Sequence, residues 1–424
     1  MHPFKQWIVG LGIAALLLGG CGDDQDDENQ DKPPDVSKLN VVAVQELDLM
    51  AGPLRSSAYL APDGKHLVHA KAGELCLYTI TGEQERCIDL EEPHLRLDND
   101  LTFWSPDSRH LIVNIDFLHL LIDPDVWVAD MREGTLTNLT DDGFEGNPFE
   151  EGADQSYVDL GARFINGGKQ IAFLRYAGDR DPAQGASVMR MNVDGSDLEQ
   201  IGTIPIEQMY SIFSFDQSPN RKQWAYNYFP NDLDNPAIAT WITNAKFEQP
   251  RKVGVYEYQR DSNVIISPAW WVEFSADGAY LMNYSDLALG MYGTEVIPEI
   301  SPLRIFRIKD GQSFMLNEQY LVRGGAWAPD GHAFAYIVSD RQHEEVSGLY
   351  ISERPGEPGR LVLAGLFLPP TSRNHQPLTW TDNNTLLLGS FPPEKIYIVN
   401  LGTGPAVTLA DATISEVTAD ATAE

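Results

Sequence analysis

Apolar and polar residues alternate with a period of two along most of the chain, in short runs bounded by turn residues, which predicts strand after strand. One unit recurs seven times. A strand ends, a tight turn of Pro-Asp-Gly character follows, and a second strand begins directly after it. The copies are Ala61-Pro62-Asp63-Gly64 with Leu67, Ser105-Pro106-Asp107-Ser108 with Leu111, Ile165-Asn166-Gly167-Gly168 with Ile171, and Ser218-Pro219-Asn220-Arg221 with Trp224. They continue as Ser275-Ala276-Asp277-Gly278 with Leu281, Ala328-Pro329-Asp330-Gly331 with Phe334, and a degenerate Thr381-Asp382-Asn383-Asn384 with Leu387. Successive copies lie 44, 60, 53, 57, 53 and 53 residues apart. Pro and Asp pre-set such a turn, and Gly accepts positive φ at no steric cost.

A second signal follows each copy. Leu77-Tyr78, Val126-Trp127, Val188-Met189, Thr240-Trp241, Ile305-Phe306, Leu349-Tyr350 and Ile396-Tyr397 each open a third strand. β-Branched and aromatic residues suit a half-buried pleated surface. Four short antiparallel strands cannot bury both of their faces alone, but seven such blades arranged radially cover one another, and closure protects their edges. The predicted fold is therefore all-β, a seven-bladed β-propeller of four-stranded antiparallel blades over residues 41–410.

These turns resemble the TolB-type propeller repeat, whose hallmark is a Ser-Pro-Asp-Gly turn followed by a partly buried strand. The resemblance covers roughly residues 50–410. It does not extend to TolB itself, which carries an α/β domain ahead of a six-bladed propeller; only about 20 residues separate the acidic segment from the first blade here. TolB's partners are accordingly not implied. Two segments compete to close the ring: Val41-Val42-Ala43-Val44 and Val407-Thr408-Leu409.

Outside the repeats the N-terminus has its own pattern. Lys5 precedes an apolar run from Trp7 to Leu18, and Leu18-Gly19-Gly20-Cys21 follows. A short positive segment, about a dozen apolar residues and small residues before a cut describe a secretory signal, too short to span a membrane. The last four residues resemble the lipobox of bacterial lipoproteins. That resemblance implies cleavage after residue 20 and a diacylglycerol on the Cys21 sulfur. Gly22 stands where an aspartate would favour inner-membrane retention in that family, so the outer membrane is the expected address, facing the periplasm or the cell surface. Residues 21–40 carry Asp23, Asp24, Asp26, Asp27, Glu28 and Asp31 ahead of Pro33-Pro34, a composition that cannot bury apolar surface and reads as a solvated tether. Residues 411–424 read as a polar tail.

Charge narrows the partners. With 62 acidic and 30 basic side chains the net charge is −32. Such a surface repels nucleic-acid phosphates and anionic headgroups, so no nucleic-acid partner is expected, and membrane attachment needs the lipid. The 43% apolar content is ample for a core. Three cysteines are too few for a disulfide scaffold or a zinc cluster. Cys76 and Cys87 fall on the outer two predicted strands of blade one, around a turn at Thr81-Gly82, where opposed residues sum to 163. Their own sum is 163, which predicts a disulfide that the oxidising exterior would preserve.

In a four-stranded meander the first and third turns share one end, and the second turns and blade links share the other. Insertions concentrate at the second turns (115–125, 176–187, 229–239, 284–303 and 339–348) and at links such as 140–158 and 254–268. Long loops on a rigid scaffold are where binding resides, so this end is the predicted functional face. Its densest segment holds Asp141, Asp142, Glu145, Glu150, Glu151, Asp154 and Asp159 with Phe144, Phe149 and Tyr157, and no Lys or Arg. The pattern suits a basic protein or peptide surface; it also suits a merely solvated loop. Its spacing departs from the EF-hand pattern, leaving calcium as a bare possibility and no other cofactor indicated.

Catalytic motifs are missing: no Gly-x-Ser-x-Gly, His-Glu-x-x-His, phosphate-binding glycine loop or Cys-x-x-Cys occurs. His66 and His69 fall on opposite faces of one strand. Trp104 and Trp270-Trp271 read as blade packing. The expectation is a non-enzymatic binding or scaffold protein of the envelope. The alternative is a propeller enzyme, a carbohydrate lyase or lactone hydrolase, working at the channel mouth with converging His and carboxylate groups.

Overall fold

The computed structural model describes residues 35–48, 58–71, 74–90, 103–113, 125–143, 157–177, 185–205, 212–228, 237–257, 271–284, 303–314, 316, 320, 322–331, 333–340, 343–354, 357, 359–366, 378–389 and 395–416. They form seven sheets: six are four-stranded, antiparallel and in simple sequential order, and the seventh has five strands. Blade one is Ala58–Leu60, His66–Lys71, Glu74–Thr79 and Gln84–Asp89; blade two is Phe103–Trp104, His110–Val113, Trp127–Asp130 and Thr135–Asn138. Blade three is Tyr157–Ile165, Gln170–Ala177, Ala186–Asn192 and Glu199–Ile204; blade four is Ile212–Gln217, Gln223–Tyr228, Ala237–Asn244 and Arg251–Glu257. Blade five is Trp271–Phe274, Tyr280–Tyr284, Leu303–Arg307 and Ser313–Phe314; blade six is Val322–Trp327, Phe334–Val338, Gly348–Ser352 and Arg360–Ala364.

The recurring turn has a visible mechanism. Ser105 Oγ accepts from the His110 amide at 2.8 Å and donates to Asp107 Oδ1, while Asp107 in turn accepts from the Arg109 amide. Ser218 with Asn220, and Ser275 with Asp277, repeat this lock. The fourth turn residue lies in the left-handed region: Gly64, Gly278 and Gly331 adopt it freely, whereas Ser108 at φ 56° and Arg221 at φ 60° do so against a cost of about 1 kcal/mol.

Blades pack face to face through alternate strand residues. Val68, Leu75 and Ile88 of blade one meet Leu111, Val113 and Ala129 of blade two, and the half-buried Trp104 packs against this layer. First strands of neighbouring blades contact one another, which makes them the innermost strands.

Blade seven closes the ring with a strand from the opposite end of the chain. Leu378–Trp380, Thr385–Gly389 and Lys395–Gly402 are followed in the sheet by Asn40–Asp48, antiparallel with Asn40 opposite Gly402 and Asp48 opposite Lys395. Of the two competing segments, the N-terminal one holds the edge. Val407 donates its amide to the Val41 carbonyl at 2.8 Å and packs, partly buried, against the core behind that edge. Leu47, buried among Leu67, Tyr78, Leu387 and Ile398, joins blade seven to blade one.

Both boundaries of the ring differ from those read in the sequence. Packing begins before residue 41, since Val36 and Leu39 are buried and Val36–Lys38 forms a 3-10 turn capped by Asp35. At the other end, Thr413–Glu416 within the expected polar tail pairs in parallel with Gln45–Asp48 as a fifth strand. Short polar segments carry no strand signal of their own, and only the exposed edge of a strand nearly 370 residues away makes this pairing possible.

In blade one, Cys76 lies directly opposite Cys87 and the two are disulfide-bonded, with Cα atoms 4.0 Å apart. The opposition that sums to 163 holds from Glu74 to Leu77, and a bulge at Tyr78 shifts it to Gln84. Closing this loop removes chain entropy from the unfolded state worth about 2 to 3 kcal/mol. The Cys76→Ser/Cys87→Ser double variant should lose about that much stability. Denatured but unreduced wild type should titrate no free thiol from this pair; two reactive thiols would show it to be open.

Candidate functional site

Strand direction sends each blade's first and third turns to one end of the ring and its second turn and onward link to the other. Thirteen first and third turns span four to seven residues each, whereas the fourteen connections at the opposite end span two to eighteen. Charge divides the same way. The tight turns hold 13 acidic and 9 basic residues, a net of −4; the opposite connections hold 27 acidic and 6 basic, a net of −21.

On that acidic end, the junction of blades two and three has the most developed geometry among the described residues. Asp125 precedes the third strand of blade two, and its carboxylate is buried, accepting from Asn138 Nδ2 at 2.6 Å and Thr140 Oγ1 at 3.1 Å. Thr140 Oγ1 accepts in turn from the Val126 amide. Asp159, on the innermost strand of blade three, is fully buried and accepts a two-pronged bond from Arg175 of the adjacent strand at 2.8 and 2.6 Å. The Arg175 guanidinium lies 4.5 Å from the ring centre of Tyr157, which is 40% exposed at the rim. Cation–π contact and the planar fork together fix Arg175 in one orientation.

Electrostatics here favour neutralisation. Burial pushes the Asp159 carboxyl up to about 6, although the Arg175 bonds pull it down and the Asp125 charge adds to the rise. Burial also raises Asp125; its two neutral donors oppose the rise, and Asp142 and Asp141 reinforce it. Asp159 burial also acts on its partner, yet the Arg175 guanidinium, held by the carboxylate, stays more firmly protonated than usual.

Of the residues singled out from sequence, Asp141, Asp142 and Tyr157 fall in this corner. Asp142 Oδ2 accepts from the Tyr157 amide at 2.6 Å, pinning the two ends of the blade-two-to-three link together, and Asp141 Oδ1 accepts from the Gly143 amide. Phe144, Glu145, Phe149, Glu150, Glu151 and Asp154 lie outside the described residues, as does Cys21. Asp125, Asn138, Thr140 and Arg175 went unnoticed. The available signal was a charge inside a strand pattern: Arg175 interrupts the apolar run Gln170–Ala177.

The innermost strands of blades three to five are tied by side chains. Arg163 donates to the Phe215 and Val272 carbonyls, Ser214 Oγ accepts from the Val272 amide at 2.9 Å, and Asp216 Oδ2 accepts from the Phe274 amide at 2.9 Å. These groups meet backbone positions that an inner edge strand leaves unpaired. The described histidines are dispersed. His66 pairs with Asp63, and His110 faces Asp130, both at the tight-turn end; His69 is buried inside blade one; His343 pairs with Asp340 on the second turn of blade six. Among the described residues the one grouping with metal-ligand spacing is Glu74, Cys76 and Cys87, whose two sulfurs are bonded to each other.

The ring of seven blades, closed by the strand Asn40–Asp48, defines the class: a seven-bladed β-propeller. No family model and no curated protein matches the sequence. Similar solved structures include a hydrazine synthase from Kuenenia stuttgartiensis, 12% identical over 83% of this chain and 96% of that one, with a TM-score of 0.47. An oligogalacturonate lyase from Vibrio parahaemolyticus is 12% identical over 83% and 90% of the respective chains, TM-score 0.44. A TolB protein from Agrobacterium tumefaciens is 14% identical over 65% and 87%, TM-score 0.36. At this distance neither substrate nor partner passes from them to this chain.

Proposed function

We propose that this chain is a membrane-anchored binding protein of the cell envelope. A lipid on Cys21 holds it, in the outer membrane, and the long-loop end of the propeller binds a protein or peptide partner with a basic surface. The observation that carries this reading is the division of charge: a net of −21 on the connections at one end against −4 at the other. Loop charges that face water contribute little to folding, so a concentration of them on one face calls for an explanation in recognition. The Asp159–Arg175–Tyr157 corner supports it with a rigid rim beside the densest acidic segment.

The test begins with cross-linking of the anchored protein in envelope extracts to obtain the partner, followed by affinity measurements at two ionic strengths. Replacing Asp141, Asp142, Glu150 and Glu151 together by their amides should weaken binding about tenfold or more and flatten its salt dependence, with little change in melting temperature. Unchanged affinity in the folded variant would refute the reading.

A further inference from the structure

The propeller also has a defined up and down relative to its own chain. Asn40 opens the closing strand opposite Gly402, at the tight-turn end, and Asn40 Nδ2 donates to the Gly404 carbonyl at 3.0 Å. Ahead of it, Leu39 and Val36 are buried, and the Arg360 guanidinium of blade six donates to the Leu39 carbonyl. The chain therefore joins the ring at a pinned point on the tight-turn end. The C-terminal strand leaves at the opposite end, where Glu416 stands beside Asp48.

We infer that the tight-turn end faces the lipid surface and the acidic long-loop end faces away from it. The inference rests on the anchor at Cys21 proposed above and adds the direction in which the binding face is presented. Two independent observations carry it. The first is reach. Asp35 lies fourteen positions beyond Cys21, a span of at most about 50 Å when fully extended. A nine-residue strand such as Asn40–Asp48 rises about 30 Å from one end of the ring to the other. Bringing the long-loop end to the membrane would oblige the tether to run back along blade seven for more than half of its reach.

The second is charge. Bacterial membrane surfaces rich in anionic phospholipid repel negative surfaces within a Debye length, about 8 to 10 Å at physiological salt. The long-loop connections carry −21 and the tight turns −4, with Lys65, Arg109, Lys169, Arg221, Lys222, Lys246 and Lys309 among the latter. Repulsion and tether geometry thus select the same orientation.

The full-length lipidated protein, placed in vesicles of phosphatidylethanolamine and phosphatidylglycerol with an energy-transfer acceptor on the headgroups, reads this directly. One donor dye goes on Lys309→Cys, an exposed third-turn position of blade five, and in a separate preparation on Glu344→Cys, an exposed second-turn position of blade six. Lys246→Cys and Asp141→Cys repeat the comparison on blades four and two. Transfer should be about twofold or more higher from the tight-turn labels, given the depth difference of about 30 Å. Equal or reversed transfer in vesicle-bound protein would overturn the orientation while leaving the anchor standing. Protein that does not partition into vesicles would overturn both.

Discussion

Cys21→Ser is expected to abolish fatty-acid labelling and to move the whole protein from the membrane to the soluble fraction. No helix among the described residues is long and apolar enough to cross a bilayer, and a net charge of −32 opposes adsorption to anionic lipid. A diacylglycerol contributes two buried acyl chains, enough for stable anchoring where one chain is marginal. The propeller should fold unchanged, because its packing starts at Asp35, fourteen residues further on. The comparison uses metabolic labelling and fractionation of wild type and variant; continued labelling of the serine variant would remove the lipid anchor from the account.

The second large effect is expected at the blade-two-to-three corner. Asp159→Ala should destabilise the protein by about 3 to 5 kcal/mol, since it leaves the Arg175 guanidinium in a largely buried site without its carboxylate. Thermal unfolding checks this, and a loss below about 1 kcal/mol would mean that water already shares the pair. pH supplies a finer test. The Asp159 carboxyl is raised to about 6 from an ordinary value of 3.8, so its protonated form is favoured by folding. The stability it contributes is fully present below about 4 and is lost as pH rises through 6. Asp125, also raised, acts in the same direction. Asp310, lowered to about 2 chiefly by its bonds from Arg307, contributes above the ordinary carboxylate value and loses that only as pH falls towards 2, outside this window. The wild-type melting temperature should therefore climb as pH falls from about 7 to about 4. Asp159→Asn, which keeps the shape and cannot titrate, should show a smaller climb, with Asp125 and the buried Asp216 supplying the rest; parallel curves for the two proteins would show that Asp159 is not a source of it.

How far the sequence foretold the site depends on how local the determinants were. Asp141 and Asp142 stood out because seven carboxylates crowd into residues 141–159, and both now cap the link between two blades. Arg175, which organises the corner, was invisible as a site residue. It lies 16 positions from Asp159, and only the hairpin that pairs Asp159 with Arg175 brings the two together. Asp125 and Thr140 are 15 apart and meet across the outer hairpin of blade two. Charges inside strands read as noise until the register is known.

By itself the sequence determined the repeating parts: seven turns of one pattern, in three of which a serine and an aspartate or asparagine lock the same local bonds, the short apolar runs that become strands, and the opposition of Cys76 and Cys87 across a short turn. Each depends on residues no more than about a dozen apart, so the chemistry of neighbours suffices. The tertiary structure alone decided how the ring closes, why Val36 and Leu39 belong to it, and that Thr413–Glu416 is a strand. Those outcomes turn on edges and faces that exist only once all seven blades are in place, where a free backbone edge accepts whichever distant segment reaches it in register.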